Sequence, residues 1–446
     1  MSAQRVTTLH VPSSKDINFV IGKRLDGARN SINHSMMDAS NFHHALIGTS
    51  GVGKTFTIRR LAIEFASQGV TQIILDTQGD YASPEFLAHH DMKGVRINEL
   101  RFGYGPDTCG LNPFVIQSSD QGGYHHAVIG VLETIRLFNP SMGSRQRTLL
   151  RRLINSTYAR KGITQEHPGT WQLPPPSMRD LLTAICDEIK ANRLSVGSDS
   201  YDKIEVLRKK SAAIVKKTLK DPRPSGAKLE NLHEELNTEK DSLFDELRSL
   251  LEQEINNPSP SNSSTGVIAR LEAINDMIEG IVISGLFDGI PIAPKRGVIN
   301  VLDLTSINAI DQQPIFYLLL ERTFHSAVRT CTNLNPSIPD LMFGFDEVKL
   351  FTALADSPLD PINRFFTEGR KYGLGSLCGL QHAKQLTEEM RSSVGTILLL
   401  PVAKEKASDI KRLWGISEEE MSRLRPKSDA LYSFSNNAFL PIKLFG

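Results

Sequence analysis

"FHHALIGTSGVGKTFTIRRLAIEFASQG", residues 42–69, decides how the rest of the chain is read. An apolar run ends in a glycine-rich turn, and helical spacing follows with Ile58, Leu61, Ala62 and Phe65 on one face. Gly48, Thr49, Ser50, Gly51, Val52, Gly53, Lys54 and Thr55 satisfy the pattern G-x-x-x-x-G-K-[ST]. Glycines there let backbone N–H groups turn inward onto phosphate oxygens, Lys54 reaches the β- and γ-phosphates, and Thr55 offers its hydroxyl to Mg2+. The helix that starts at this turn adds its positive end. Nucleotide binding with Mg2+ is the expectation.

"LDTQGDY", residues 75–81, poses the next question. Asp76 to Gly79 spell the D-x-x-G by which GTPases sense a γ-phosphate. A GTPase, however, fits a helix, a mobile switch segment and usually a further strand between its phosphate loop and that motif. Here one helix to about Gln68 and a strand from Val70 fill the interval. No N-K-x-D for guanine follows, and Thr238-Glu239-Lys240-Asp241 has the wrong order. Asp76 therefore reads as the end of a strand with a turn, and ATP replaces GTP as the expected nucleotide.

At 446 residues and 49.4 kDa the chain suits a large α/β domain carrying an insertion. Its 51 basic side chains nearly cancel 50 acidic ones, so a polyanion can be held only by a local patch. Cys109, Cys186, Cys331 and Cys378 lack C-x-x-C spacing, which argues against zinc and against a disulfide framework. The histidine pairs His43-His44, His89-His90 and His125-His126 read as packed or solvated residues, because neighbours on a strand face opposite ways. No apolar run is long enough to span a bilayer, so no integral membrane segment is expected. A cytoplasmic setting fits, with peripheral attachment to a membrane complex left open.

Strand-like runs recur at "GVINVLDLT", "DLMFGFDE", "LGSLCGL", "TILLLPV" and "ALYSF", alternating with helical stretches. That alternation marks a mostly parallel sheet wound with helices. The expected layout is a first part of the core at 1–120, a helical insertion at 121–290, and a second part at 291–446. Within the insertion, "SRQRTLLRRLINSTYARKG" is basic and amphipathic. Leu229, Leu236, Leu243 and Leu250 repeat every seventh residue, as in an intramolecular hairpin or a partner-binding coil. Arg145, Arg147, Arg151 and Arg152, with Lys209, Lys210, Lys216, Lys217 and Lys220, are candidates for a phosphate backbone or for a solvated surface.

If Asp76 does not serve the metal, another acid must. "LMFGFDEV" ends an apolar run in Asp346 and Glu347, which would place Asp346 in the outer shell of the Mg2+ ion, beyond its direct ligands, and Glu347 where it can polarise the attacking water. The segment after it, "FFTEGRKYGLGSLCGLQHAKQL", resembles the "GRK-x-G…Q" stretch of conjugative coupling proteins and of the HerA/FtsK superfamily of ring-forming ATPases. "HHALIGTSGVGKT", "IILDTQGDY", "LNPF" (Leu111 to Phe114) and "GVINVLDLT" resemble family segments in the same order, and the insertion is not covered.

The resemblance implies a RecA-like P-loop core, ATP and Mg2+ as cofactors, a homohexamer, and DNA as the track. It implies that Gln381 is a sensor beside the acidic strand and that Arg370 is a finger given to the neighbouring subunit's ATP. Lys371 stands as an alternative cation. The sequence departs from the family before the phosphate loop, where coupling proteins carry membrane helices and HerA-type helicases a β-barrel. Two other functions remain open: a secretion-type ATPase moving or assembling protein subunits, with a partner on the leucine-striped helix, and a solitary GTPase.

Overall fold

The computed structural model describes residues 16–26, 30–88, 92, 94–103, 108–116, 122–192, 264–292, 294–331, 333–346 and 361–445, together with 234, 238, 241 and 245. It divides into two compact units, Met1–Phe138 with Ser284–Gly446, and Asn139–Ile283. The leucine-striped stretch, the lysine group at 209–220, His89-His90 and Glu347 lie outside the described residues.

The first unit is built on strands β1 (Asn18–Arg24), β2 (Ser31–Ser35), β3 (His43–Ile47), β4 (Thr71–Asp76), β5 (Ile97–Arg101), β6 (Cys109–Gly110), β7 (Ile290–Pro291), β8 (Ile299–Asp303), β9 (Leu341–Phe345), β10 (Leu374–Leu380), β11 (Thr396–Leu399), β12 (Asp429–Phe434) and β13 (Leu440–Leu444). Eleven of them form one sheet in the order β2-β1-β13-β12-β11-β3-β10-β9-β4-β8-β5, and β6 pairs with β7 separately. From β11 to β5 every pairing is parallel, and from β11 to β2 every pairing is antiparallel. This is the mixed α/β, mostly parallel sheet of a RecA-like P-loop core.

Parallel strands sandwiched between layers read as continuous apolar runs. β3, β4, β9, β10 and β11 are buried at every residue, as "LMFGF" and "TILL" suggest. Among the helices, α1 (Lys54–Ser67) presses Ile58, Leu61, Ala62 and Phe65 into the core, the face marked by their spacing. α2 (Gly123–Phe138) belongs to this same unit.

In the second unit, α3 (Ser144–Arg160) buries Leu150, Leu153, Ile154, Thr157 and Tyr158. Residues 178–192 are helical and bury Leu181 and Ile185, and α4 (Ser264–Ser284) buries Leu271, Ile274 and Ile278 at helical spacing. Back in the first unit, α5 (Ala309–Thr330) precedes β9, and α6 (Pro361–Glu368) precedes β10. Among the described residues no helix is long and apolar enough to cross a membrane.

His34, His43 and His44 are fully buried core residues. His34 shares one hydrogen bond with the Tyr432 hydroxyl and another with His44, each at 2.9 Å, while His43 pairs with Ser376 Oγ at 2.8 Å. Burial holds all three neutral: His43 titrates only near about 3, His44 near about 4, and His34 well below the usual value. In the unfolded chain each takes a proton near pH 6.5. Their contribution is therefore complete above that pH and is lost as acid is added, by about 1.4 kcal/mol per pH unit per histidine. The urea midpoint of the core is expected to fall steeply between pH 7.5 and pH 5; equal midpoints at those two values would refute this account.

Candidate nucleotide-binding site

Because the strands from β11 to β4 run parallel, their carboxyl ends share one edge of the sheet, where open α/β sheets bind ligands. The phosphate loop leaves β3 there. Its entry is fixed by the Gly48 N–H donating to Leu380 O at 3.0 Å and the Thr49 N–H donating to Pro401 O at 3.1 Å. Gly53, which caps α1, has φ of 106°, a left-handed conformation that side chains resist. The Lys54 ammonium is buried against the loop and donates to the carbonyls of Gly48 and Thr49, both at 2.9 Å.

Asp346 follows β9, two strands from β3, and Gln381 follows β10, which lies between them. The Thr55 hydroxyl donates to Asp346 Oδ2, and the buried Tyr81 hydroxyl donates to the same oxygen at 3.4 Å. Burial raises the Asp346 carboxyl above the usual range, opposed by the Thr55 hydrogen bond and the Lys54 charge. Gly379 makes this approach possible, since a Cβ there would lie 2.3 Å from Asp346 O. A hydroxyl and a carboxylate held together are hard oxygen donors, so Thr55 and Asp346 suit Mg2+. The Gln385 side chain fixes the backbone of the sensor candidate, accepting from the N–H groups of Gln381 at 2.7 Å and His382 at 3.0 Å.

One cavity of about 250 Å3 is lined by Ser50, Gly51, Gly53, Lys54, Thr55, Asp346 and Gln381. Its lining also includes Gln78 and Lys427, which the sequence reading did not single out. Gln78 sits in the turn that raised the GTPase question. There Asp76 Oδ1 accepts from the N–H groups of Gln78, Gly79 and Asp80, and Oδ2 accepts from Tyr81 at 2.7 Å. Arg59 clamps the turn from α1 through an ion pair to Asp80 at 3.1 Å. The Asp76 carboxylate is thus taken up by its own turn, which delivers Gln78 to the cavity.

Arg370 is placed elsewhere. It precedes β10, at the opposite edge of the sheet from Gln381, with its guanidinium 5.6 Å from the Phe42 ring centre. Its buried Nε has no hydrogen-bond partner among the described residues. The neighbouring Lys371 is exposed. Lys54, Thr55, Asp346 and Gln381 are therefore brought together within one chain, and Arg370 is not among them.

The family model described as "Helicase HerA, central domain" matches residues 19–323. The chain belongs to that family, and with it to the HerA/FtsK-like ring ATPases, a class of ATP-driven motors. Among solved structures it is similar to VirB4 of Thermoanaerobacter pseudethanolicus, with TM-score 0.61, 13% identity, and 96% of each chain covered. It is also similar to the bacterial conjugative coupling protein TrwB lacking its N-terminal segment, with TM-score 0.52, 15% identity, and 91% and 86% covered. The TrwB complex with ADP and Mg2+ gives TM-score 0.51 at 15% identity, covering 90% of this chain and 85% of that one. These identities speak for the fold. No curated protein matches the chain.

Proposed function

We propose that this chain is an ATP-hydrolysing motor that assembles as a homohexamer and translocates or unwinds DNA. The observation that carries the reading is the convergence of Lys54, Thr55, Asp346 and Gln381 on one cavity at the carboxyl edge of a parallel sheet. In this reading Lys54 and the loop amides hold the phosphates of ATP, and Thr55 and Asp346 hold Mg2+. The ion, when bound, neutralises phosphate charge. Glu347, next to Asp346, polarises the attacking water, and Gln381 contacts water or the γ-phosphate. The ADP and Mg2+ complex of TrwB supports this cofactor pair.

Arg370 completes the site of the next subunit. Charge developing on the transferred phosphoryl group needs a cation, and taking it from a neighbour ties hydrolysis to assembly. A setting in the cytoplasm, free or beside a membrane complex, accords with a motor of this kind.

DNA as cargo is supported by α3, whose sequence contains five arginines and no acid. Arg160 pairs with Asp187 at 2.6 Å. Arg145, Arg147, Arg151 and Arg152 are exposed and have no ion-pair partner among the described residues. They are spread over the solvent side of the helix, opposite Leu150, Leu153 and Ile154. Such an unneutralised face suits a phosphate backbone. Replacing Arg145 and Arg152 by Glu is expected to weaken DNA binding at least tenfold and to lower the salt slope by about two. Filter binding across a salt series checks this, and an unchanged slope would remove α3 from the DNA contact.

The test of the whole reading is hydrolysis by a size-defined oligomer with no DNA, with single-stranded DNA and with double-stranded DNA. DNA should stimulate turnover severalfold. Hydrolysis indifferent to both would shift the engine to protein cargo, the reading in which the insertion contacts a protein partner.

A further inference from the structure

Lys427 reaches the cavity from the side opposite the metal residues. Asp346, Gln381 and Gln78 follow β9, β10 and β4, whereas Lys427 stands just before β12, beyond β3 and β11 in the sheet order. Its backbone is seated on the phosphate loop itself. The Lys427 N–H donates to Val52 O at 2.9 Å, and a Cβ on Gly53 would lie 3.2 Å from Lys427 Cα.

The residue adopts φ of 60°, a left-handed conformation that favours glycine or asparagine over lysine. The turn around it enforces that conformation. Buried Asp429 accepts from the Arg425 backbone N–H at 3.1 Å, from the Arg425 guanidinium at 2.8 and 3.2 Å, and from Ser428 Oγ at 2.8 Å. Strain held in place by a braced turn is characteristic of binding positions. Lys427 has no ion pair or side-chain hydrogen bond among the described residues, and it lines the same cavity as the phosphate-loop residues Ser50, Gly51, Gly53 and Lys54.

The geometry points to Lys427 as a second phosphate-binding cation, given by the Arg425–Asp429 turn to the diphosphate portion of the bound nucleotide. This rests on the nucleotide-site reading above and adds a residue from the carboxyl-terminal part of the sheet. Its location away from Asp346 and Gln381 assigns it to the phosphates shared by ATP and ADP. It therefore contributes to both complexes alike and slows release of ADP. As a contact present before and after hydrolysis, it acts on KM more than on kcat.

The test is a titration of the full chain with fluorescent ADP and a non-hydrolysable ATP analogue, using wild type, Lys427→Asn, Lys427→Arg and Lys54→Ala. Asparagine accepts the left-handed backbone, so Lys427→Asn should melt no lower than wild type in nucleotide-free buffer. It should nonetheless bind both nucleotides about tenfold more weakly, the scale of one charge-assisted hydrogen bond. Lys427→Arg should recover most of that loss. Lys427→Asn binding ADP within twofold of wild type would overturn the assignment, as would a loss confined to the ATP analogue. Wild type that binds neither nucleotide would remove the nucleotide reading itself and this lysine with it. Normal wild-type binding, lost in Lys54→Ala but kept in Lys427→Asn, would remove the lysine alone.

Discussion

Lys54→Ala is expected to lower ATP turnover by at least about a hundredfold, and Asp346→Asn to do the same, while the sheet still folds. The reasons differ. Lys54 lies over the loop on the carbonyls of Gly48 and Thr49, poised where phosphate charge is to be neutralised. Alanine leaves the loop geometry, which is set by the bonds of Gly48 and Thr49 to Leu380 and Pro401, but removes the cation. Asp346 shares its carboxylate with the Thr55 hydroxyl, so its amide variant loses a negative charge beside that hydroxyl with almost no change in shape. Magnesium dependence separates the two: Asp346→Asn should shift the Mg2+ requirement upward, whereas excess Mg2+ should not rescue Lys54→Ala. Wild-type turnover in either variant would end the assignment of the site. Glu347→Gln, altering the residue proposed to polarise water, should bind ATP and fail to hydrolyse it.

Arg370→Ala should lose about a thousandfold in turnover yet keep its affinity for ADP, because the lost group is proposed to act in a neighbour's reaction. Arg370 and Gln381 flank β10, a strand of 7 residues. At about 3.3 Å per residue that separation exceeds roughly 20 Å, beyond the reach of one side chain. Arg370 cannot serve its own phosphate loop.

Mixing therefore gives a sharp result. In rings formed from Arg370→Ala and Lys54→Ala subunits, some interfaces regain an intact nucleotide loop facing an intact arginine. Activity should rise above that of either protein alone. Mixtures as inactive as their components, or an Arg370→Ala protein keeping half its turnover, would place the finger elsewhere. Lys371→Ala, altering the exposed neighbour, is the matching control.

The phosphate loop was legible because its chemistry is contiguous: eight successive residues supply the turn, the cation and the hydroxyl. The sheet strands were legible because buried parallel strands carry continuous apolar runs, as "LMFGF" does throughout and Ile73 to Leu75 do at the centre of "TQIILD". Asp346 could be placed for the same reason, as the first acid after such a run. The tetrapeptide Asp76 to Gly79 alone fits two readings, because a turn cap and a nucleotide switch favour the same small polar residues; the short interval after Lys54 decided for the turn, and the hydrogen bonds of Asp76 agree with it.

Sequence by itself determined the local units: strand, glycine turn and helix around Lys54, the acid at the end of β9, and the period of each buried face. It did so because these depend on residues close together in the chain. Tertiary structure alone decided that β10 lies between β3 and β9, that Gln78 and Lys427 enter the same cavity from opposite sides, and that Arg370 is carried to the far edge. Strand order arises from packing among segments hundreds of residues apart. The turn at Lys427 is braced locally by Asp429, but its seat on the phosphate loop, through the Lys427 N–H and Val52 O, joins residues far apart in the chain. Neither the strand order nor that seat leaves a local mark.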